Sequence, residues 1–101
     1  MATPVQSRAD ALDRIAHNRA VLRAHGIATI AIFGSASRDQ MAPESDVDVL
    51  VEFEHPVGAF AFLDLKGTLE DMLGRPVDLV TPAAIKPRMR ERIEREAIRA
   101  D

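Results

Sequence analysis

Cysteine, tryptophan and tyrosine are all absent from the 101 residues. Without cysteine there is neither a disulfide framework nor a thiolate metal site, and a reducing, cytoplasmic setting is the natural expectation. Four phenylalanines leave little material for a base-stacking platform. No apolar run approaches the roughly 18 residues of a membrane span, and the N-terminus lacks the apolar core of a signal peptide. Positive charge is not in excess either. Thirteen Lys and Arg against sixteen Asp and Glu give a formal net charge of −3, which argues against non-specific binding of long nucleic acids. Neither membrane association nor direct nucleic-acid binding is expected.

What is present suits a small α/β domain. Hydrophobic residues make up 47% of the chain, weighted toward Ala, Val, Ile and Leu. The length suits one domain over 1–101 with a single core, occupying about 12–97, and a frayed segment at 1–6. Ser7, with Asp10 three residues on, reads as an N-cap. A helix over 8–25 follows, with Leu12, Ile15, Ala16 and Leu22 along one stripe and Gly26 as its C′ residue. His17 and His25 read as helix-surface and helix-end residues, because no further His or carboxylate completes a ligand spacing. Residues 27–33 form an apolar first strand. A short polar segment over 36–44 then makes a helical turn before Pro43 resets the backbone.

In 47–53 the parity is clear. Val47, Val49, Val51 and Phe53 fall on one face; Asp48, Leu50 and Glu52 share the other with Asp46. That is the period of a half-buried strand. A helix over 60–73 buries Phe62, Leu65, Leu69, Met72 and Leu73, and Gly74-Arg75-Pro76 stops it. Residues 76–81 make a third strand, with Asp78 opposite Val77 and Leu79. A short turn over 83–86 leads to a last helix from Pro87. Its apolar positions Met89, Ile93 and Ala97 recur every four residues, among alternating Arg and Glu that read as an ion-paired, solvated face. The order α-β-(turn)-β-α-β-α predicts a small three-stranded mixed sheet flanked by helices.

Chemistry concentrates in 32–53. Asp46 and Asp48 project from one strand face with backbones roughly 6.5–7 Å apart, close enough to repel unless a cation lies between them. A hard divalent ion such as Mg²⁺ answers that need. Upstream, Gly34 leaves the first strand where a backbone can approach a ligand closely. Ser35 beside it offers a hydroxyl and an N–H to phosphate oxygens.

Gly-Ser, ten residues, then Asp-any-Asp at a strand start resembles the nucleotidyltransferase superfamily of DNA polymerase beta and kanamycin nucleotidyltransferase. Within it the chain looks most like the small stand-alone MNT (minimal nucleotidyltransferase) proteins, the antitoxins of HEPN-type RNase toxins. The resemblance spans about 12–97 and implies the nucleotidyltransferase fold in its shortest form. It implies metal-binding and catalytic roles for Asp46, Asp48 and Asp78, the first two bridging two Mg²⁺ (or Mn²⁺) ions and the third holding the nucleophile-side ion and serving as base. It implies nucleotide binding by Gly34, Ser35 and Arg38. The family carries Arg-Gly where this chain has Arg38-Asp39. Asp tolerates a positive φ better than most non-Gly residues, and its charge there would oppose a triphosphate.

The chain is too short for the extra domains with which larger relatives hold their acceptors. For the family it resembles, the implied reaction is Mg²⁺-dependent transfer of AMP from ATP to a tyrosine hydroxyl of a HEPN toxin partner. Two other readings stay open: an antitoxin that occludes its toxin with a vestigial site, and a transferase acting on a small molecule or an RNA end.

Overall fold

The computed structural model describes residues 2–101. Its elements in chain order are α1 (Arg8–His17), α2 (Arg19–Ala24), β1 (Ile27–Phe33), the single turn α3 (Gly34–Ser37), β2 (Val47–Phe53), α4 (Ala59–Leu73), β3 (Val77–Val80), a 3₁₀ turn (Pro82–Ala84), α5 (Pro87–Glu96) and β4 (Ile98–Arg99). The strands form one sheet in the order β3-β2-β1-β4. β1 is antiparallel to β2 and to β4, whereas β2 and β3 run parallel, joined through α4. The mixed sheet expected from sequence is therefore present, with a fourth strand added at its edge.

Two residues make up β4, pairing Ile98 with Ile32 and Arg99 with Ala31. A segment that short has no period of its own, so the stripe of the last helix reads straight through it. The helix ends at Glu96, and Ala97 turns extended to reach the β1 edge.

The helix expected over 8–25 is broken at Asn18. Its amide bonds Ile15 O at 3.1 Å, a tightened i−3 contact, and its side-chain Nδ2 donates to Arg14 O at 2.8 Å. Ser7 caps α1 as expected, its hydroxyl accepting from the Asp10 amide at 3.1 Å. Gly26 takes the left-handed conformation expected of it, at φ 79°.

The frayed segment expected at 1–6 is not found over 2–6, Met1 lying outside the described residues. Val5 is fully buried, its amide donating to Leu73 O at 3.0 Å, and the Arg14 guanidinium holds Thr3 O at 2.9 Å. A single buried valine in a polar hexapeptide gives too weak a pattern to announce this docking.

Parity decides the layers. Val47, Val49 and Val51 of β2 join Ile30 and Ile32 against α1 and α4, packing with Ile15, Leu65, Leu69 and Leu73 in the main core. The other sheet face carries only a small cluster: Phe33 with Ile85 and Ile93, flanked by Leu50, Val80 and Ala97. That second face is thinly covered, and Asp48 and Asp78 open onto it.

Candidate active site

Strand register brings Gly34, Asp48 and Asp78 together. Asp48 is the direct partner of Asp78 across the parallel β2–β3 ladder, and of Phe33 across the antiparallel β1–β2 ladder. Neighbouring strands lie about 4.8 Å apart, and side chains at paired positions share a face. The two carboxylates are therefore adjacent, and Gly34, one step past Phe33, lies beside them. Asp46 stands just before β2 and is exposed.

Glycine at position 34 is a steric requirement. Its φ is +64°, and a Cβ built there would overlap Asp48 Oδ2. No side chain fits between the β1 exit and the Asp48 carboxylate, so the turn packs directly on it.

The carboxylates crowd one another. The Asp48 carboxyl is pushed up to about 6, first by its own burial and then by the charges of Asp78 and Asp46, with Arg38 pulling the other way. A half-buried acid beside two others keeps its proton to about pH 6, and above that the three charges repel unless a cation lies among them. The donors are all carboxylate oxygens, the chemistry a hard divalent ion prefers. Among the described residues, no three His, Cys, Asp or Glu side chains already stand as a ligating cluster. The ready-made element is the Asp48–Asp78 pair, with Asp46 at its margin.

The Gly34–Ser37 turn is closed at both ends. Ser37 Oγ donates to Gly34 O at 2.9 Å. At its end the Asp39 amide bonds Ala36 O at 3.2 Å and the Gln40 amide bonds Ser35 O at 2.8 Å, the paired bonds of a Schellman motif. That motif demands a left-handed C′ residue, and Asp39 supplies it at φ 58°.

Asp39, where the chain departs from the family's Arg-Gly, has a partner of its own in the fold. Its Oδ1 accepts from the Arg8 amide at 2.7 Å, while Arg8 Nη1 reaches back to Ser37 O at 3.4 Å. Asp39 is thus tied to the electropositive N-terminus of α1, fixing the site turn to the first helix. A tertiary contact across 31 residues gives Asp at this position a role that Gly could not fill.

Arg38 is half-exposed and points toward α5, where its Nη1 pairs with Glu96 Oε1 at 2.9 Å; Arg92 Nε shares that carboxylate oxygen at 3.3 Å. Glu96 is held below the usual carboxylate range by these arginines against the opposing effect of its own desolvation.

Sequence reasoning missed Arg75. Though charged, it is only 7% exposed, with its guanidinium turned onto backbone carbonyls of the loop before Asp46. Its place after a helix-stopping glycine gave no sign of that. A groove of about 910 Å³, lined by Phe53, Val57, Phe62, Leu63 and Pro82, lies at the opposite end of β2 and β3 from the carboxylates.

Known proteins of the same architecture account for this arrangement. The nucleotidyltransferase domain family model matches residues 15–100. The chain is 38% identical over 78 residues to a candidate protein adenylyltransferase of Methanocaldococcus jannaschii, covering 77% of this chain and 84% of that protein. It is 35% identical over 83 residues to the protein adenylyltransferase MntA of Thermococcus cleftensis, covering 82% and 84%. Among solved structures, a candidate minimal nucleotidyltransferase superposes with a TM-score of 0.78 at 34% identity, over 91% of this chain and 94% of the other. The fold also recurs in a Shewanella oneidensis complex of a tri-AMPylated HEPN toxin with its MNT antitoxin. There the TM-score is 0.66 at 20% identity, over 93% of this chain and 71% of the other. The chain belongs to the nucleotidyltransferase domain family and is an enzyme of its minimal kind.

Proposed function

We propose that this protein transfers AMP from ATP to a tyrosine hydroxyl of a HEPN-type RNase toxin, with Mg²⁺, and so acts as that toxin's antitoxin. The names of its relatives support protein adenylylation, and the toxin–antitoxin complex that shares its fold supports the partner class. The observation that carries the reading is the crowding of Asp48 against Asp78 directly beneath Gly34.

Asp46, Asp48 and Asp78 would hold the metal, which lowers the charge of the triphosphate and of the departing pyrophosphate. Gly34 lets the polyphosphate approach the backbone, and the Ser35 hydroxyl and amide face its oxygens. Arg38, swung from Glu96, screens the β/γ charge. The acceptor hydroxyl oxygen attacks the α-phosphorus and forms a new P–O bond. The bond from that phosphorus to the bridging oxygen breaks, and pyrophosphate leaves with the electron pair. Asp78 would take the hydroxyl proton.

A bare site presents three carboxylates to a tetraanion, so nucleotide and metal bind together. Calorimetric titration of ATP with Mg²⁺ and in EDTA tests this: binding is expected only with metal. Equal affinity in EDTA would contradict the metal-bridged site and favour an antitoxin that acts by occlusion.

A further inference from the structure

The three acids assigned above come from two separate stretches, and the pre-strand acid, Asp46, lies outside any regular element. Something other than the sheet ladder must fix it. Its two neighbours are held by two consecutive residues. Arg75 Nη1 donates to Ser45 O at 3.1 Å, and Pro76 O accepts from the Val47 amide at 2.9 Å. The same guanidinium nitrogen reaches Ala42 O at 2.8 Å and Pro43 O at 3.1 Å, while Arg75 Nε donates to Val5 O. Within the loop, the Ser45 amide bonds Ala42 O at 3.1 Å and the Ala42 amide bonds Ser45 Oγ at 2.8 Å.

A charge 7% exposed is costly to bury, and no salt bridge is formed by Arg75 among the described residues. Its compensation comes entirely from carbonyl dipoles, three of them in the four residues before Asp46. A surface loop needs no buried guanidinium to keep it folded. A loop that must deliver one carboxylate to a fixed point does need a rigid brace. Arg75 is also three residues before Asp78, on the segment that becomes β3. One stretch, 75–78, therefore carries one acid and braces the other.

We infer that Arg75 is a positioning residue for the metal site: its guanidinium holds the 42–45 loop so that Asp46 meets the ion shared with Asp48 and Asp78. The inference rests on the metal-site reading above.

The test measures Mn²⁺ binding by electron paramagnetic resonance on the full chain, for the wild type, Arg75→Lys, Val5→Ala and Asp48→Asn. Lysine keeps the charge and loses the fork, so Mn²⁺ affinity should fall about tenfold, the lower end of what losing a supporting partner costs a metal site. Val5→Ala loosens the N-terminal segment that Arg75 also touches, so it lowers the melting temperature but should leave Mn²⁺ affinity within about twofold. If Arg75→Lys keeps wild-type affinity, or Val5→Ala weakens it equally, the brace serves stability alone and the inference is overturned. If the wild type and Asp48→Asn bind Mn²⁺ alike, the metal-site reading falls, and this inference with it. Should Arg75→Lys not fold, amide exchange on the wild type decides. Protection at Ser45 as slow as in β2 supports the brace, and exchange at free-loop rates overturns it.

Discussion

Asp48→Asn should stabilise the metal-free protein, an unusual result for a half-buried residue in a strand. The Asp48 carboxyl is pushed from an ordinary 3.8 to about 6 by burial and by its two acidic neighbours. A tenfold change in proton affinity is worth about 1.36 kcal/mol, so at full strength the effect would be about 3 kcal/mol at neutral pH. The group is half-solvated, which reduces this to about 1–1.5 kcal/mol. In a domain of this size that raises the melting temperature by about 5–10 °C.

The pH dependence carries the sign. The folded state binds the Asp48 proton more tightly than the unfolded chain does. Its favourable contribution is therefore complete below about pH 3.8 and lost as the pH rises through about 6. The wild type and Asp48→Asn should melt together near pH 4, separate between pH 4 and 6, and stay apart above pH 7. Thermal denaturation in EDTA at stepped pH reads this directly. Adding Mn²⁺ at pH 7.5 should reverse the order, since only the intact site gains binding energy. An Asn variant that melts lower than wild type at pH 7.5, or gains equally at pH 4, would refute the repulsion argument.

Two further outcomes follow from the turn beside the carboxylates. Gly34→Ala forces a side chain into φ +64° and onto Asp48 Oδ2, so denaturant titration should show a loss of about 1–2 kcal/mol or more, with ATP binding by calorimetry abolished. Asp39→Ala loses the bond to the Arg8 amide and keeps the left-handed strain, costing about 1–2 kcal/mol. Asp39→Gly loses the bond but relieves the strain and should cost under about 1 kcal/mol. Neither Asp39 variant should change ATP affinity more than about twofold, because the carboxylate serves α1.

The pieces governed by short-range pattern were readable. β1 occupies 27–33 as the apolar run predicted, and the alternation from Val47 to Phe53 assigned the main core to the odd positions. That Gly34 and Asp48 meet was legible because their spacing straddles two strand ends whose pairing forces them together. What escaped depends on contacts distant in sequence. Asn18 breaks a helix with residues of acceptable propensity on both sides. β4 exists only because β1 has a free edge. Val5, Asp39 and Arg75 look like terminus, turn and helix stop until partners 68, 31 and 30 residues away are known. Composition and periodicity report which face is buried. They carry nothing about which carbonyl a buried guanidinium will meet.

The decisive measurement is the mass of the partner. The chain is co-expressed with the protein of its neighbouring reading frame, and the purified partner is weighed intact beside the partner expressed with Asp46→Asn or Asp48→Asn. The account requires one or more AMP increments on a tyrosine of the partner with the wild type and none with either variant. A partner that is bound and neutralised by the wild type yet carries no added AMP would contradict it.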